Sequence, residues 1–123
     1  MRWISRVRVD GIAAAHHLPG YPGNCARPHG HNWCLEAEIG ADALHEDMVV
    51  DFALVKDVFK ALDHTDLNAD PEICAAGHRP TSERLAEVVA ARVQARLDAL
   101  PNHPRLLALT VRETDRNEVT LRP

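Results

Sequence analysis

Residues 29–39 read HGHNWCLEAEI, and their alternation decides the fold class. His29, His31, Trp33, Leu35, Ala37 and Ile39 share one parity, while Asn32, Cys34, Glu36 and Glu38 share the other. Successive side chains of a strand point to opposite faces of its sheet, so this is a strand with one apolar and one polar face. Both histidines project from the apolar face. Upstream, residues 2–10 alternate too, with Trp3, Val7 and Val9 opposite Arg6 and Arg8, which predicts a second half-buried strand. The stretch between them carries Pro or Gly at 19, 20, 22, 23 and 28 and is expected to be loop after its first few residues.

Downstream the period changes from two to 3.6. Asp51 is placed to cap a helix over about 52–62, with Phe52, Val55, Phe59 and Leu62 as its stripe. Residues 63–80 read as loop. Pro80 and Thr81 then open a longer helix, with Glu83 in its first turn and Leu85, Val89, Val93, Leu97 and Leu100 along one side. Pro101 and Pro104 end it. RLLALTVRE (105–113) places Leu107, Leu109, Val111 and Glu113 on one face of a third strand. TDRN turns the chain, and EVTLR closes it with Val119 and Leu121 inward. Strand, strand, helix, helix, strand, strand is an α+β order: a four-stranded antiparallel sheet with two helices on one face. Its exposed edges need a guard or a partner, and association of copies is the simplest answer.

The chain has 123 residues, enough for a single domain spanning 1–123. A net charge of −4 argues against nucleic acid as the partner, because phosphate binding needs a basic face. No stretch has the apolar length of a signal segment or a bilayer span, so a cytoplasmic, membrane-free protein is expected. Three cysteines, none in a C-x-x-C pair, argue against a disulfide framework.

The histidines carry the chemistry. His29 and His31 neighbour each other on one strand face, and His16 lies just past the end of the preceding strand. If those two strands pair, three imidazoles converge with a fourth position open, the ligand set of a catalytic zinc site. A single histidine in such a place is commonly bonded to backbone carbonyls; three from two adjacent strand ends favour the metal. Cys25, four residues before His29, fits either of two roles. As a fourth ligand it would close a structural site, and as a free thiol near a cation it would be a base or nucleophile. Asp63 and His64 form a proton-transfer pair if the loop brings them to the same place. Glu113 has the parity of the buried face, where a carboxylate needs a cationic or multi-donor partner such as a guanidine-like ligand edge.

Taken in order, IAAAHHL, CARPHGHNW, MVVDF, LDHTDLN, PTSE and VRET resemble the successive blocks of the 6-pyruvoyl-tetrahydropterin synthase and 6-carboxytetrahydropterin synthase family, over nearly the whole chain. The resemblance implies the tunnelling fold, in which subunits join as trimers around a continuous barrel, two trimers stack as a hexamer, and active sites lie at subunit interfaces. It implies that His16, His29 and His31 hold Zn2+, that Cys25, Asp63 and His64 are catalytic, that Glu113 anchors a pterin and that Thr81 adds a secondary contact to it. The implied substrate is 7,8-dihydroneopterin triphosphate. The three-residue gap from Cys25 to His29 is like the queuosine branch, which forms 6-carboxytetrahydropterin, acetaldehyde and triphosphate. ETDRN and the long segment between His64 and Thr81 are instead like the pyruvoyl-forming branch, which stops at triphosphate elimination. Ile12, where an aromatic residue is usual, and Leu121, where Tyr is common, depart from the pattern without touching the metal or proton-transfer residues. A non-catalytic pterin- or zinc-binding module, with Cys25 closing the metal site, is the alternative from another class.

Overall fold

A computed structural model describes residues 1–123. The strands are β1 (Trp3–His16), β2 (His29–Ala41), β3 (Thr65–Asp66), β4 (Arg105–Thr114) and β5 (Asn117–Leu121), and the helices are α1 (Phe52–Lys60) and α2 (Ser82–Leu97). They form one sheet in the order β3-β1-β2-β4-β5. The pairs β1–β2, β2–β4 and β4–β5 are antiparallel, whereas β3 runs parallel to β1. The sheet therefore has five strands where the sequence led us to expect four. The extra one is only two residues long, too short for a hydrophobic period to register.

Alternation holds across most of the sheet, and bulges explain where it fails. In β1 the register shifts between Val9 and Ile12, and Gly11 there takes φ 70°, a conformation that Gly adopts without a Cβ penalty. The bulge lets β1 continue to His16, well beyond the predicted end. A second shift, in the β2–β4 ladder, puts Leu106 opposite Ile39 and Ala108 opposite Glu38. Leu106 thus joins the core, and Leu107, expected inward, packs at the other face against Gly40 and Met1. Val119 and Leu121 pack against the core as expected.

Both helices cover the same face of the sheet, and their apolar sides close one core with Trp33, Leu35, Ile39, Leu109 and Val111. Asp51 caps α1 by accepting from the Ala53 N–H, and Thr81 caps α2 by accepting from the Arg84 N–H. In α1 the buried residues are Val55, Val58 and Phe59; Phe52, expected in the stripe, is exposed at the first turn. The opposite sheet face is polar, crossed by ion pairs such as Arg6–Glu38 at 3.3 Å and Arg112–Glu118 at 2.7 Å. Neither helix is long and apolar enough to cross a membrane.

Candidate functional site

The β1–β2 ladder pairs His16 directly with His29 and Ala14 with His31, so register alone brings the three imidazoles together. Ring centroids lie 4.4 Å apart for His16–His29, 5.2 Å for His16–His31 and 4.9 Å for His29–His31. Glu113, near the end of β4, brings its Oε1 to 3.1 Å from His16 Nε2 and 3.2 Å from His31 Nε2. One donor atom from each of these four residues falls within 4.8 Å of all the others. Parity predicted that Glu113 would face inward; the structure supplies the partner that a half-buried carboxylate requires.

Two of the imidazoles are held by their far nitrogens. His16 Nδ1 donates to the Pro80 carbonyl at 2.8 Å, and His29 Nδ1 donates to the Arg27 carbonyl at 2.7 Å. A carbonyl can only accept, so both Nδ1 atoms carry a proton, and in the neutral ring that leaves Nε2 as the nitrogen with a lone pair for a metal. Trp33 packs edge-to-face beneath His16 and His31, at 5.0 and 5.3 Å, and its Nε1 donates to the Ala14 carbonyl. Burial pushes the His31 pKa down, with the neighbouring His16 and His29 adding to the effect and the Glu113 charge opposing it. A neutral imidazole is the form that binds metal.

The donor atoms fit an ion. His16 Nε2 and His31 Nε2 are buried and have no hydrogen-bond partner, although the Glu113 oxygen lies close to each. Orphaned buried nitrogens are costly unless something accepts their lone pairs. Ligand atoms about 2.0–2.2 Å from one tetrahedral ion lie roughly 3.3 Å apart; the two Glu113–imidazole separations are 3.1 and 3.2 Å, and all the donor atoms lie within 4.8 Å of one another. Imidazole nitrogens beside a carboxylate oxygen suit zinc and several other divalent transition metals.

Cys25 is exposed in a 3₁₀ turn, Asn24–Ala26, and its sulfur lies outside the converging set. Its carbonyl accepts from the Leu18 N–H at 2.7 Å, which ties the turn to the chain just past His16. Asp63 and His64 are placed by Ala13. The Asp63 carboxylate accepts from the Ala13 N–H at 2.8 Å, and the His64 N–H donates to the Ala13 carbonyl at 2.6 Å. These bonds lead into β3 and hold His64 at φ 60°, a left-handed conformation that costs a non-glycine residue on the order of 1 kcal/mol or more. His64 Nδ1 lies 3.0 Å from Asp63 Oδ2. The Ala13 N–H, aided by the His64 ring, holds the Asp63 carboxyl below its usual range, so it remains an acceptor. A cavity of about 760 Å³ is lined by His31, Asn32, His64, Glu113, Thr114 and Asp115 among others. Thr81 does not line it; its hydroxyl is engaged in the α2 cap, one residue after the Pro80 carbonyl that holds His16.

Sequence reasoning missed the Pro80 and Arg27 carbonyls, since every residue has one and only the fold aims it. It also missed Asn32, Thr114 and Asp115. Trp33 was legible as a core residue but not as the floor beneath the imidazoles.

Comparison with known proteins follows the same lines. A family profile described as "6-pyruvoyl tetrahydropterin synthase" matches residues 6–123. A "6-carboxy-5,6,7,8-tetrahydropterin synthase" from Bacillus subtilis (strain 168) is 36% identical over 118 residues, covering 91% of this chain and 80% of the relative. A "probable 6-carboxy-5,6,7,8-tetrahydropterin synthase" from Halobacterium salinarum is 34% identical, covering 90% and 81%. Among solved structures, that of Caenorhabditis elegans 6-pyruvoyl tetrahydropterin synthase superposes with a TM-score of 0.74 at 24% identity, covering 98% of this chain and 96% of that one; this likeness is one of fold. The profile match runs through β1, β2 and β4, the three strands that bring the imidazoles and Glu113 together, and the chain belongs to the 6-pyruvoyl tetrahydropterin synthase family.

Proposed function

We propose that this chain is a zinc-dependent 6-carboxy-5,6,7,8-tetrahydropterin synthase, which converts 7,8-dihydroneopterin triphosphate into 6-carboxytetrahydropterin, acetaldehyde and triphosphate. The observation that carries the reading is the pair of orphaned Nε2 atoms, His16 and His31, aimed with His29 at one centre beside a large polar cavity. The relatives named for the carboxy-forming reaction and the three-residue gap between Cys25 and His29 support this branch.

Bound by His16, His29 and His31, zinc would supply Lewis acidity to the hydroxyls of the substrate side chain. The remaining work belongs to the chain's own residues. Cys25, free of the donor set and exposed, takes a proton from the side chain as its thiolate. His64 exchanges protons elsewhere in the isomerisation, its ring held by the Asp63 carboxylate. Glu113 orients the pterin by accepting from two parallel N–H groups of its amino-pyrimidine edge, and Thr81 adds a secondary contact. The protein works as a trimer or hexamer with interfacial sites; association of copies is supported by the β1 edge, which β3 covers only at Ala14 and Ala15.

The reading is tested by incubating the metal-loaded protein with 7,8-dihydroneopterin triphosphate and identifying the products by mass. Acetaldehyde with 6-carboxytetrahydropterin is the expected result. Triphosphate release with a pyruvoyl product would place the chain in the other branch, which ETDRN and the long 65–80 segment resemble. No turnover by fully loaded protein would leave a binding module. Glu113→Ala is expected to weaken pterin binding about tenfold to a hundredfold, the loss of a charged two-donor contact, while three imidazoles still retain the metal. Undiminished pterin affinity in that variant would remove Glu113 from the binding role.

A further inference from the structure

A second cavity, of about 540 Å³, lies beside the metal cluster and is used by nothing described so far. His17, Asn68, Cys74, His78, Arg79 and Pro80 line it, and no carboxylate does. In a chain of net charge −4 that is an uneven distribution. The cavity is one imidazole from the metal cluster, since the Pro80 carbonyl in its wall accepts from His16 Nδ1. The Cys25 turn is tied to the same stretch, because Leu18, next to His17, donates to the Cys25 carbonyl.

Its walls are fixed independently of any ligand. Asn68 clamps His17 by both ends of its amide, accepting from the His17 N–H at 2.8 Å and donating to the His17 carbonyl at 3.0 Å. On the other side, the loop leading to His78 and Arg79 is tied to α2. Arg84 donates to the Ile73 and Glu72 carbonyls at 2.8 and 2.9 Å, and Arg92 grips both oxygens of Asp70 and one of Glu72. Although burial alone would raise the Asp70 pKa, Arg92 and the Ile73 and Glu72 N–H groups hold it below the usual range. The loop's acids are thus neutralised against α2, while Arg79 enters no ion pair. Ala76 and Gly77, at φ 55° and 77°, turn the chain back toward His17.

We propose that this cavity is the anion subsite of the protein and takes the polyphosphate tail of its substrate, with Arg79 as the principal contact and His17 and His78 as further donors. Arg79 keeps its charge at any working pH and offers the planar fork that matches phosphate oxygens. Imidazoles donate to phosphate even when neutral. The identity of the ligand as a triphosphate rests on the function proposed above; the site as an anion site does not.

The test uses inorganic tripolyphosphate and unphosphorylated neopterin as probes, by calorimetry on wild type and Arg79→Ala at equal, measured metal content. Arg79 is exposed, so its removal leaves the core untouched. Arg79→Ala is expected to weaken tripolyphosphate about tenfold to a hundredfold and to raise KM for the triphosphate substrate by a similar factor. Neopterin affinity and kcat should stay nearly constant, and His78→Ala should act the same way more weakly. Unchanged tripolyphosphate affinity in Arg79→Ala overturns the proposal, as does an equal loss of neopterin. If tripolyphosphate binding depends on Arg79 in a protein that neither binds neopterin nor turns over substrate, the anion site stands and the synthase reading falls.

Discussion

Cys25→Ala should lower turnover of 7,8-dihydroneopterin triphosphate about 10²–10⁴-fold, the range removed with a positioned acid or base, and leave the metal content unchanged. Of the two roles that the sequence left open, the geometry supports the catalytic one. Four donor atoms converge without the Cys25 sulfur, and the thiol is exposed on a turn held by its backbone carbonyl. Truncating an exposed side chain on such a turn leaves no cavity in the core, so the thermal midpoint should barely move. Rate, bound metal and unfolding temperature, measured on one preparation, give the answer. Metal lost together with stability would make Cys25 a ligand and the centre a structural one.

The fold was legible wherever one period ran unbroken. Residues 29–39 alternate without interruption, and both the strand and the inward direction of His29 and His31 follow from that. Where the ladder gains a residue, the reading slips. The bulge at Gly11 hides the continuation of β1 to His16, and the shift before Ile39 exchanges Leu106 for Leu107 in the core. A bulge inverts parity without a compositional mark unless a glycine happens to occupy it. β3 was illegible for a different reason: its pairing is fixed by the bonds from Asp63 and His64 to Ala13, contacts fifty residues apart in sequence. The site follows the same division. His29, His31 and Glu113 came from parity and His16 from the expected pairing of the first two strands, whereas the carbonyls that orient the rings came from the fold.

Metal binding and folding should be strongly linked in this protein, and His16 is where the link can be cut. Its Nδ1 is tied to Pro80 at the start of α2, its Nε2 faces the shared centre, and its ring is almost fully buried against Trp33. A metal held there joins β1 and β2, strands whose cluster histidines are close only when the sheet is formed. The unfolded chain has no such constellation, so metal at about a thousand times its dissociation constant stabilises the folded state by about 4 kcal/mol. For a domain of this size that raises the thermal midpoint by roughly 10–20 °C. In His16→Ala that increment should vanish, leaving two imidazoles to compete with water. The variant also loses buried contacts and the bond to Pro80, so its metal-free midpoint will be lower as well. Comparing each protein with and without chelator removes that common cost and isolates the metal contribution. A wild-type increment that survives in His16→Ala would mean that the ion is held elsewhere, and the two orphaned nitrogens would then lack the acceptor on which the assignment depends.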